Sequence, residues 1–389
     1  MKIAFIMPDD FSITLFAKGI LRALGELKDS EVTAICALGD YGGEIEALGV
    51  KTLHVDNYRF FHPLRDLRYL LKLFTLLKKN RFEVVFTFST KPNIFGTIAA
   101  RLAGVKQVVS HVVGLGAAFS SEKSAASLLL SEAFLALYRL SCAWSDKVWF
   151  TNRNDLNFFY SRGIITPEKA VLTRNYLDTD LYSPTSVDPA RVTALKDELG
   201  VAVGDRVVVM VARMVWAKGI REFAEAAVLL RDQCPRVKFF LIAPLEQGSF
   251  DAVPESYIRD LEKQANLRWL GFRSDVKEIY ALCDLAVLPS YYKEGGYPRA
   301  LLEPMSFGKP LIATLSEDCR GPVDEGRNGY LVPIKDSRAL AQAIAAIIDD
   351  DELLRRLGRH SREKAVNEFE ERRIVPQALA ACGLPVVAG

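Results

Sequence analysis

The sequence predicts an α/β protein with two domains, each built on a parallel sheet with helices on both faces. Three observations support this fold class. The chain has 389 residues, more than one hydrophobic core usually supports. Short apolar runs alternate with amphipathic helical patterns from the first residues onward. The alternation breaks at a Pro- and Asp-rich stretch, residues 178–189, and then starts again.

The predicted elements of the first domain alternate between strand and helix. They are strand 3–7, helix 13–27, strand 32–37, strand 84–88, helix 93–103, strand 107–113 and strand 147–151. The loop after the first strand, residues 7–12, lies where doubly wound folds bind ligands. It lacks the Gly-x-Gly-x-x-Gly motif that binds dinucleotides, so the hypothesis of a dehydrogenase has little support.

A strongly basic segment, residues 63–82, is predicted to form a helix within this domain. It carries six basic side chains and one acidic side chain, with leucines and aromatic residues between them. Such a helix can lie on anionic lipid. It can equally pack on the core and leave its polar face in water, and the sequence leaves both interpretations open.

The second domain repeats the alternation. Its predicted strands are 206–212, 237–242, 267–270, 285–289, 310–314 and 329–332, followed by helices 337–348 and 352–369. We expect an N-terminal domain at 1–185, a C-terminal domain at 186–370, and a tail, 371–389, that can pack back on the N-terminal domain.

Composition excludes several classes of protein. Half of the residues are apolar and a quarter are charged, which is typical of a soluble folded chain, and the net charge of +2 argues against a nucleic-acid binder. The six cysteines lack the spacing of a metal site or disulfide framework, which predicts a reduced cytoplasmic setting. The most apolar long stretch, 125–144, contains Glu132 and Arg139, so no membrane span is predicted.

Two cations follow the first strand of the second domain. Arg213 and Lys218 stand five residues apart in a loop that leads into a helix. Cations at a strand's carboxyl end, beside a helix amino terminus, can bind a diphosphate. Taken alone, this spacing is also common on protein surfaces.

Two glutamates follow in the stretch 288–308. Glu294 lies in a glycine-rich loop, and Glu303 comes after two leucines in a predicted short helix with Pro298 near its start. Unpaired amides at a helix start attract phosphate or sugar oxygens, and carboxylates accept hydrogen bonds from hydroxyl groups. A simple turn followed by a surface helix is the alternative.

Taken together, these motifs resemble glycosyltransferase family 4. The similar pieces occur in the family's order: 207–213, 218–219, 270–276, 283–290, Glu294, Glu303 and 326–332. The resemblance implies the GT-B fold, in which two Rossmann-like domains face a cleft. It also implies a retaining transfer in which the leaving phosphate helps to deprotonate the acceptor, with no metal and no other cofactor. The Asp178-Thr179-Asp180 sequence is then a junction segment and not a manganese site.

The resemblance also assigns roles to residues of the second domain. Arg213 and Lys218 would hold the donor's diphosphate and Glu294 the hydroxyls of the transferred sugar, and these three are the predicted catalytic residues. Glu303 would bind the ribose hydroxyls. The backbone of residues 271–273 would face the nucleobase. The predicted donor-binding set is Glu303, Gly296, Tyr297, Pro298, Arg299, Gly271, Phe272 and Arg273.

The sequence departs from the family's pattern at several positions. Gly295-Gly296 adds one residue between the two glutamates, which usually stand eight apart. Pro304 replaces an alanine. An interior proline would cost the helix about 3 kcal/mol, unless the helix begins only around Ala300 or later and leaves Pro304 near its first turn. Ala243-Pro244 and Tyr176 stand where glycines are expected.

In the first domain, residues 90–96 and 113–116 are similar to members that act on polyprenyl-diphosphate-linked sugars. Lys91 would bind an acceptor phosphate, unless it is an ordinary lysine at a strand end. His111 could meet an acceptor hydroxyl or make a structural hydrogen bond in the core. The predicted acceptor-binding set is Ser12, Lys91, His111, Gly114 and Gly116.

The expected activity is transfer of a sugar, an N-acetylhexosamine, from a UDP-sugar to a polyprenyl-diphosphate-linked saccharide in bacterial glycan assembly. The protein would act peripherally on the inner face of the cytoplasmic membrane, with the basic helix touching the lipid. Three alternatives stay open: a transferase with a soluble acceptor, a nucleotide-sugar epimerase, and a non-catalytic protein that binds a carbohydrate or nucleotide.

Overall fold

The computed structural model of the chain divides into two units. It describes residues 1–58, 62–114, 125–246, 249, 251–292, 294–317 and 319–385, with only the backbone for residues 125–131. Unit 1 comprises Met1–Arg174 and Glu371–Gly389, and unit 2 comprises Asn175–Glu370. The division after Arg174 comes eleven residues before the predicted boundary at 185.

Residues 175–185 belong to unit 2 because hydrogen bonds join this segment to the end of unit 2, around α14. The Leu177 amide donates to the Phe369 carbonyl at 2.9 Å, and Arg362 Nη1 donates to the Thr179 carbonyl at 2.8 Å. The Pro- and Asp-rich composition indicates the region of the junction. It does not indicate the exact boundary, because that depends on hydrogen bonds to residues almost two hundred positions later in the chain.

The elements in the described residues alternate as the sequence predicts. The strands are β1 Lys2–Asp9, β2 Glu31–Ala37, β3 Lys51–His54, β4 Val84–Phe88, β5 Gln107–Val112, β6 Lys147–Phe150, β7 Ala170–Leu172, β8 Arg206–Val211, β9 Val237–Ile242, β10 Leu267–Gly271, β11 Leu285–Leu288, β12 Leu311–Thr314 and β13 Gly329–Val332. The α-helices are α1 Asp10–Phe16, α2 Lys18–Gly25, α3 Gly42–Glu46, α4 Pro63–Asn80, α5 Thr97–Leu102, α6 Ala125–Trp144, α7 Arg153–Ser161, α8 Pro189–Leu199, α9 Ile220–Leu230, α10 Glu255–Glu262, α11 Val276–Leu282, α12 Arg299–Ser306, α13 Ser337–Ile348, α14 Asp351–Phe369 and α15 Glu371–Ala381.

The described part of unit 1 forms a parallel sheet in the order β3-β2-β1-β4-β5-β6-β7. The strand order reverses between β1 and β4, so the loops after these two strands diverge at the carboxyl edge. The apolar side chains of β4, all buried, are typical of a central strand covered on both faces.

The described part of unit 2 forms a second parallel sheet in the order β10-β9-β8-β11-β12-β13. Here the order reverses between β8 and β11, which pair through Leu285 and Val208. The loops after β8 and β11 contain the predicted cations and Glu294, so they meet at the place where such sheets bind ligands. The predicted α/β class with two Rossmann-like parallel sheets is confirmed.

The helix α12 begins at Arg299 and encloses Pro304, so of the two cases left open by the sequence the structure shows the interior proline. The ring has no N–H to donate, and one intrahelical bond is lost. The helix nevertheless continues, because the Phe307 amide donates to the Glu303 carbonyl at 3.1 Å. Pro304 is buried, and the helix ends two residues later, which limits the disruption.

Candidate active site

The loop after β8 carries both predicted cations into α9. Lys218 ends a single 3-10 turn, Trp216–Lys218, directly before that helix. Gly219 has a φ of 81°, and a Cβ there would lie 2.3 Å from the carbonyl oxygen of Pro289. Because only glycine suits this crowded, left-handed position, the β8 loop can pack closely against the end of β11.

Lys218 and Glu294 form an ion pair at this point. Lys218 Nζ donates to Glu294 Oε2, and the two side chains are only 13% and 5% exposed. The Ser290 hydroxyl donates to the other carboxylate oxygen, Oε1, at 2.5 Å. The structure therefore brings together a predicted diphosphate cation and the predicted sugar-binding carboxylate.

Arg213 and Lys218 share the aromatic ring of Tyr292. The guanidinium carbon of Arg213 lies 5.1 Å from the ring centroid, and Lys218 Nζ lies 5.0 Å from it. Arg213 Nη1 is also 3.5 Å from Glu246 Oε2. Since a ring face attracts cations without neutralising them, Tyr292 gathers two positive groups where a diphosphate could bind both.

Glu303 belongs to a second polar cluster on α12. Arg299 Nε donates to Glu303 Oε1 at 2.9 Å, and the Arg299 guanidinium lies 5.2 Å from the centroid of the Tyr182 ring. Burial and the nearby Glu303 carboxylate raise the pKa of Tyr182 to about 12. Glu303 thus has an arginine partner in the structure, and its predicted contact with ribose hydroxyls stays a prediction.

The loop with the additional glycine is fixed by its neighbours. Gly295 and Gly296 have φ values of 69° and 93°, which favour glycine at both positions. Asn175 Nδ2 donates to the Tyr297 carbonyl at 2.8 Å, and the Tyr297 ring centroid lies 5.3 Å from that of Phe369. Pro298 then caps α12. The insertion is therefore followed by a residue, Tyr297, that contacts both ends of the unit 2 segment through Asn175 and Phe369.

The predicted nucleobase contacts lie at the end of β10. Gly271 has a φ of 65°, and the Phe272 side chain that follows is 57% exposed. Arg273 donates to both carboxylate oxygens of Asp275, at 2.8 and 2.6 Å, and to Glu198 Oε1 at 2.8 Å. The arginine side chain therefore fixes this loop, and the exposed aromatic ring offers a flat apolar surface beside it.

The predicted acceptor residues of unit 1 have mixed surroundings. Lys91 is buried, and its Nζ lies 2.5 Å from Asp66 Oδ1 of α4. This pair joins the basic helix to the end of β4, so a phosphate would have to compete with Asp66. Ser12 lies in the first turn of α1, where its amide donates to Asp9. Gly114 has a φ of 148°, and Gly116 lies outside the described residues.

His111 is buried in the sheet, with its side chain stacked on Trp149. The ring centroids are 4.0 Å apart and the ring planes differ by 8°. Within the part of the chain that the structure describes, neither ring nitrogen has a hydrogen-bond partner, so the expected structural hydrogen bond is not found. Burial lowers the pKa of His111 to about 3. Its other predicted role, contact with an acceptor hydroxyl, stays a prediction.

Sequence reasoning missed three residues that shape the site. Ser290 and Tyr292 lie in the same stretch, residues 288–308, but belong to neither the predicted catalytic set nor the predicted donor-binding set. Their polar and aromatic character beside Glu294 was an available signal. Glu246 follows Ala243-Pro244, a segment that departs from the family's pattern, and no signal pointed to its contact with Arg213.

The junction sequence around Asp178 has a local structural role. Asp178 Oδ1 accepts hydrogen bonds from the amides of Asp180 and Leu181, at 3.1 and 2.9 Å. Throughout the described ranges, no group of three His, Cys, Asp or Glu side chains is placed to hold a metal ion. A search of the same residues finds no helix with the length and apolar character needed to cross a membrane.

Comparison with known proteins identifies both halves of the chain. Residues 192–364 match the family described as Glycosyl transferases group 1, and residues 2–152 match Glycosyl transferase 4-like. A relative from Campylobacter jejuni, N,N'-diacetylbacillosaminyl-diphospho-undecaprenol alpha-1,3-N-acetylgalactosaminyltransferase, is 27% identical over 97% of both chains. The Escherichia coli UDP-Gal:alpha-D-GlcNAc-diphosphoundecaprenol alpha-1,3-galactosyltransferase is 29% identical over 79% of this chain and 76% of its own length.

Solved structures show the same fold. Anabaena HepE in complex with UDP-glucose has a TM-score of 0.78 at 22% identity, covering 98% of this chain and 99% of that one. WaaG, a glycosyltransferase involved in lipopolysaccharide biosynthesis, has a TM-score of 0.76 at 16% identity and covers all of both chains. The chain therefore belongs to the glycosyl transferases of the GT-B fold, with a 4-like first domain and a group 1 second domain.

Proposed function

We propose that this glycosyl transferase moves a sugar, an N-acetylhexosamine, from a UDP-sugar to a polyprenyl-diphosphate-linked saccharide in bacterial glycan assembly. Unit 2 binds the donor and unit 1 binds the acceptor. The protein works peripherally at the inner face of the cytoplasmic membrane. The transfer retains the anomeric configuration and uses no metal.

One observation carries the proposal: Arg213 and Lys218 approach one aromatic ring beside Glu294, at the strand-order reversal of unit 2. Two cations can stabilise the charge on a departing diphosphate, and such electrostatic stabilisation is usually the largest catalytic contribution. A carboxylate at the same place can accept hydrogen bonds from the sugar that is being transferred.

The names of the relatives supply the substrate classes. The Campylobacter jejuni and Escherichia coli proteins are named for acceptors linked to diphospho-undecaprenol, and the first is named as an N-acetylgalactosaminyltransferase. The second is named for a UDP-sugar, and the HepE complex contains UDP-glucose. On that basis we propose UDP as the donor nucleotide, an N-acetylhexosamine as the sugar and a lipid-linked saccharide as the acceptor for this protein.

The proposed reaction needs no side-chain base. The bond from the anomeric carbon to the β-phosphate oxygen breaks, and a bond to the acceptor oxygen forms on the same face of the sugar. The acceptor's proton passes to an oxygen of the leaving diphosphate, whose negative charge Arg213 and Lys218 offset. The residues thus bind, orient and neutralise, while the substrate itself takes up the proton.

A transferase with a soluble acceptor is the second candidate. Among the relatives, the Bacillus anthracis N-acetyl-alpha-D-glucosaminyl L-malate synthase is named for a small acceptor, at 24% identity over 62% of this chain. The lower coverage favours the lipid-linked acceptor. A panel that includes both acceptor classes separates the two candidates.

Transfer can be tested with purified protein, several UDP-sugars and a short polyprenyl-diphosphate-linked sugar, by following UDP release and the mass of the lipid product. We expect Arg213→Ala and Lys218→Ala each to lower kcat/KM by about 100-fold or more, because each removes a charge partner of the leaving diphosphate. NMR of the product reports the anomeric configuration, and an assay with added chelator checks the proposed independence from metal.

Lys238→Ala is the matched control. Lys238 is a cation of unit 2 near the amino end of β9, 4.0 Å from Asp205 and at the opposite edge of the sheet from the site. This variant should keep near-parental activity. The proposal fails if no UDP-sugar gives product with any acceptor, and epimerisation of a donor without acceptor would instead support an epimerase.

A further inference from the structure

The Lys218–Glu294 pair places two groups with opposite preferences for a diphosphate in direct contact. Lys218 would attract the phosphates, whereas the Glu294 carboxylate would repel them. Both side chains are nearly inaccessible to water, so their interactions with a neighbouring charge are weakly screened. A diphosphate that binds Lys218 must therefore compete with Glu294 for the ammonium group.

The surroundings keep the glutamate close to the lysine. The Ser290 hydroxyl lies 2.5 Å from Glu294 Oε1, which leaves Oε2 directed at Lys218 Nζ. Gly219, the residue after Lys218, packs so closely against Pro289 that it has no room for a Cβ. This contact also fixes the backbone of Lys218. The competition is thus built into the loops and does not depend on a mobile surface side chain.

A sugar on the diphosphate changes this balance. Its hydroxyl groups donate hydrogen bonds, and a carboxylate that accepts them no longer needs the lysine as its partner. With a UDP-sugar bound, Glu294 is satisfied by the sugar and Lys218 by the phosphates. With UDP alone, no sugar hydroxyl is present to take the place of Lys218 at Glu294 Oε2, and the carboxylate lies beside the negative diphosphate.

We propose that Glu294 is an internal competitor for Lys218 that makes the site prefer a UDP-sugar over UDP and expels UDP after transfer. This inference rests on the proposed function, because it takes a nucleoside diphosphate sugar as the donor. It gives Glu294 a second role in addition to contact with the sugar: when the sugar leaves, the carboxylate returns to the lysine and displaces the product.

Calorimetric titration of UDP into the parent protein and into Glu294→Gln tests the competition. The amide keeps the shape of the side chain but loses its negative charge. We expect Glu294→Gln to bind UDP about 10-fold more tightly, since a like charge beside the diphosphate is removed. Its affinity for the UDP-sugar should rise less or fall, so the preference for UDP-sugar over UDP should shrink. Product inhibition by UDP should strengthen by the same factor as binding.

Asp351→Asn is the matched control. It changes the net charge equally and breaks an arginine–carboxylate pair, with Arg206, at the amino end of β8 in the same unit. This variant should bind UDP like the parent. If Glu294→Gln fails to fold, Glu294→Ala provides the same charge removal and the same expected tightening.

The possible outcomes separate the two proposals. Unchanged or weaker UDP binding in folded Glu294→Gln, with measurable binding in the parent, overturns the competitor role and leaves the proposed function standing. An equal gain in Asp351→Asn also overturns it, because the effect would then come from net charge alone. A parent protein that neither binds UDP nor transfers sugar would refute the proposed function and the competitor role together.

Discussion

At the scale of single residues, His111 shows how burial of a side chain without a hydrogen bond lowers its pKa. Its pKa falls to about 3 because the charged ring would lose its contact with water inside the sheet. The unfolded chain has a histidine pKa near 6.5. Between these values the unfolded state binds a proton that the folded state does not, so stability decreases as the pH falls from about 6.5 toward 3.

We predict that His111→Phe removes this part of the acid sensitivity while keeping an aromatic ring against Trp149. Between pH 7 and pH 5, His111 should account for about 2 kcal/mol of the parent's lost free energy of unfolding. Chemical denaturation at both pH values measures it. An unchanged pH dependence in His111→Phe would contradict the prediction.

The residue types of the site could be predicted from the sequence, but their pairing could not. Arg213, Lys218 and Glu294 follow strands that the apolar pattern identifies, and parallel strands bring their carboxyl ends together. Which cation contacts which carboxylate depends on side-chain conformations in loops that stand 76 residues apart in the sequence. The same limit applies to Lys91, whose partner Asp66 belongs to a different element.

At the scale of elements, α4 presents two different faces. Tyr69, Leu73 and Leu77 are buried against unit 1, whereas Leu64, Leu67 and Leu71 are 67%, 51% and 54% exposed. The exposed leucines recur at helical spacing, and basic residues flank them along α4. Charge and exposed apolar area together favour contact with an anionic lipid surface over a merely solvated face.

We predict that α4 mediates binding to vesicles containing anionic lipid. Changing Leu64, Leu67 and Leu71 to serine should weaken sedimentation with such vesicles by at least 10-fold, because inserted leucine side chains would be lost. Neutralising Lys72, Lys78 and Lys79 should cost about 100-fold, at about 1 kcal/mol for each charge.

The matched control changes three exposed apolar residues of unit 2, Val203, Leu229 and Val366, to serine. This variant should bind vesicles like the parent. Equal binding by the α4 variants and the parent would exclude this helix as the membrane contact.

Long, periodic elements could be predicted, and short or interrupted ones could not. The sequence predicts α4 almost to the residue, because its pattern is continuous. The four residues of β3 and the three of β7 were missed, since so short a run carries little periodicity. The predicted helix 13–27 is divided at Ala17 into α1 and α2, and the predicted helix 93–103 begins as a π-helix, Pro92–Gly96.

At the scale of the whole molecule, unit 1 is completed by the helix α15 from the far end of the chain. The helix buries the apolar side chains of Ile374, Val375 and Leu379. Just beyond it, the Cys382 carbonyl accepts a hydrogen bond from Gln107 Nε2 at 2.8 Å. A Cβ on Gly19 would lie 2.5 Å from the Glu371 carboxylate, so the absence of a side chain at Gly19 leaves room for that carboxylate beside α2.

We predict that deleting residues 371–389 destabilises unit 1 selectively. Three large apolar side chains would leave the core, a loss of roughly 5 kcal/mol, which is comparable to the net stability of a typical domain. Hydrogen exchange should show faster exchange in β1–β7, with the amides of β8–β13 as the internal reference. Unchanged protection of β1–β7 would show that α15 is dispensable to the unit.

The discontinuity of unit 1 has a consequence for its synthesis on the ribosome. Residues 1–174 are synthesised first, but the helix α15, which packs against them, is translated only after all of residues 175–370. Unit 2 is contiguous and can acquire its full set of strands and helices while translation continues. Until α15 is translated, the nascent N-terminal segment therefore exposes the apolar surface that α15 later covers. Unit 1, whose synthesis begins before that of unit 2, can complete its fold only after unit 2 has been synthesised.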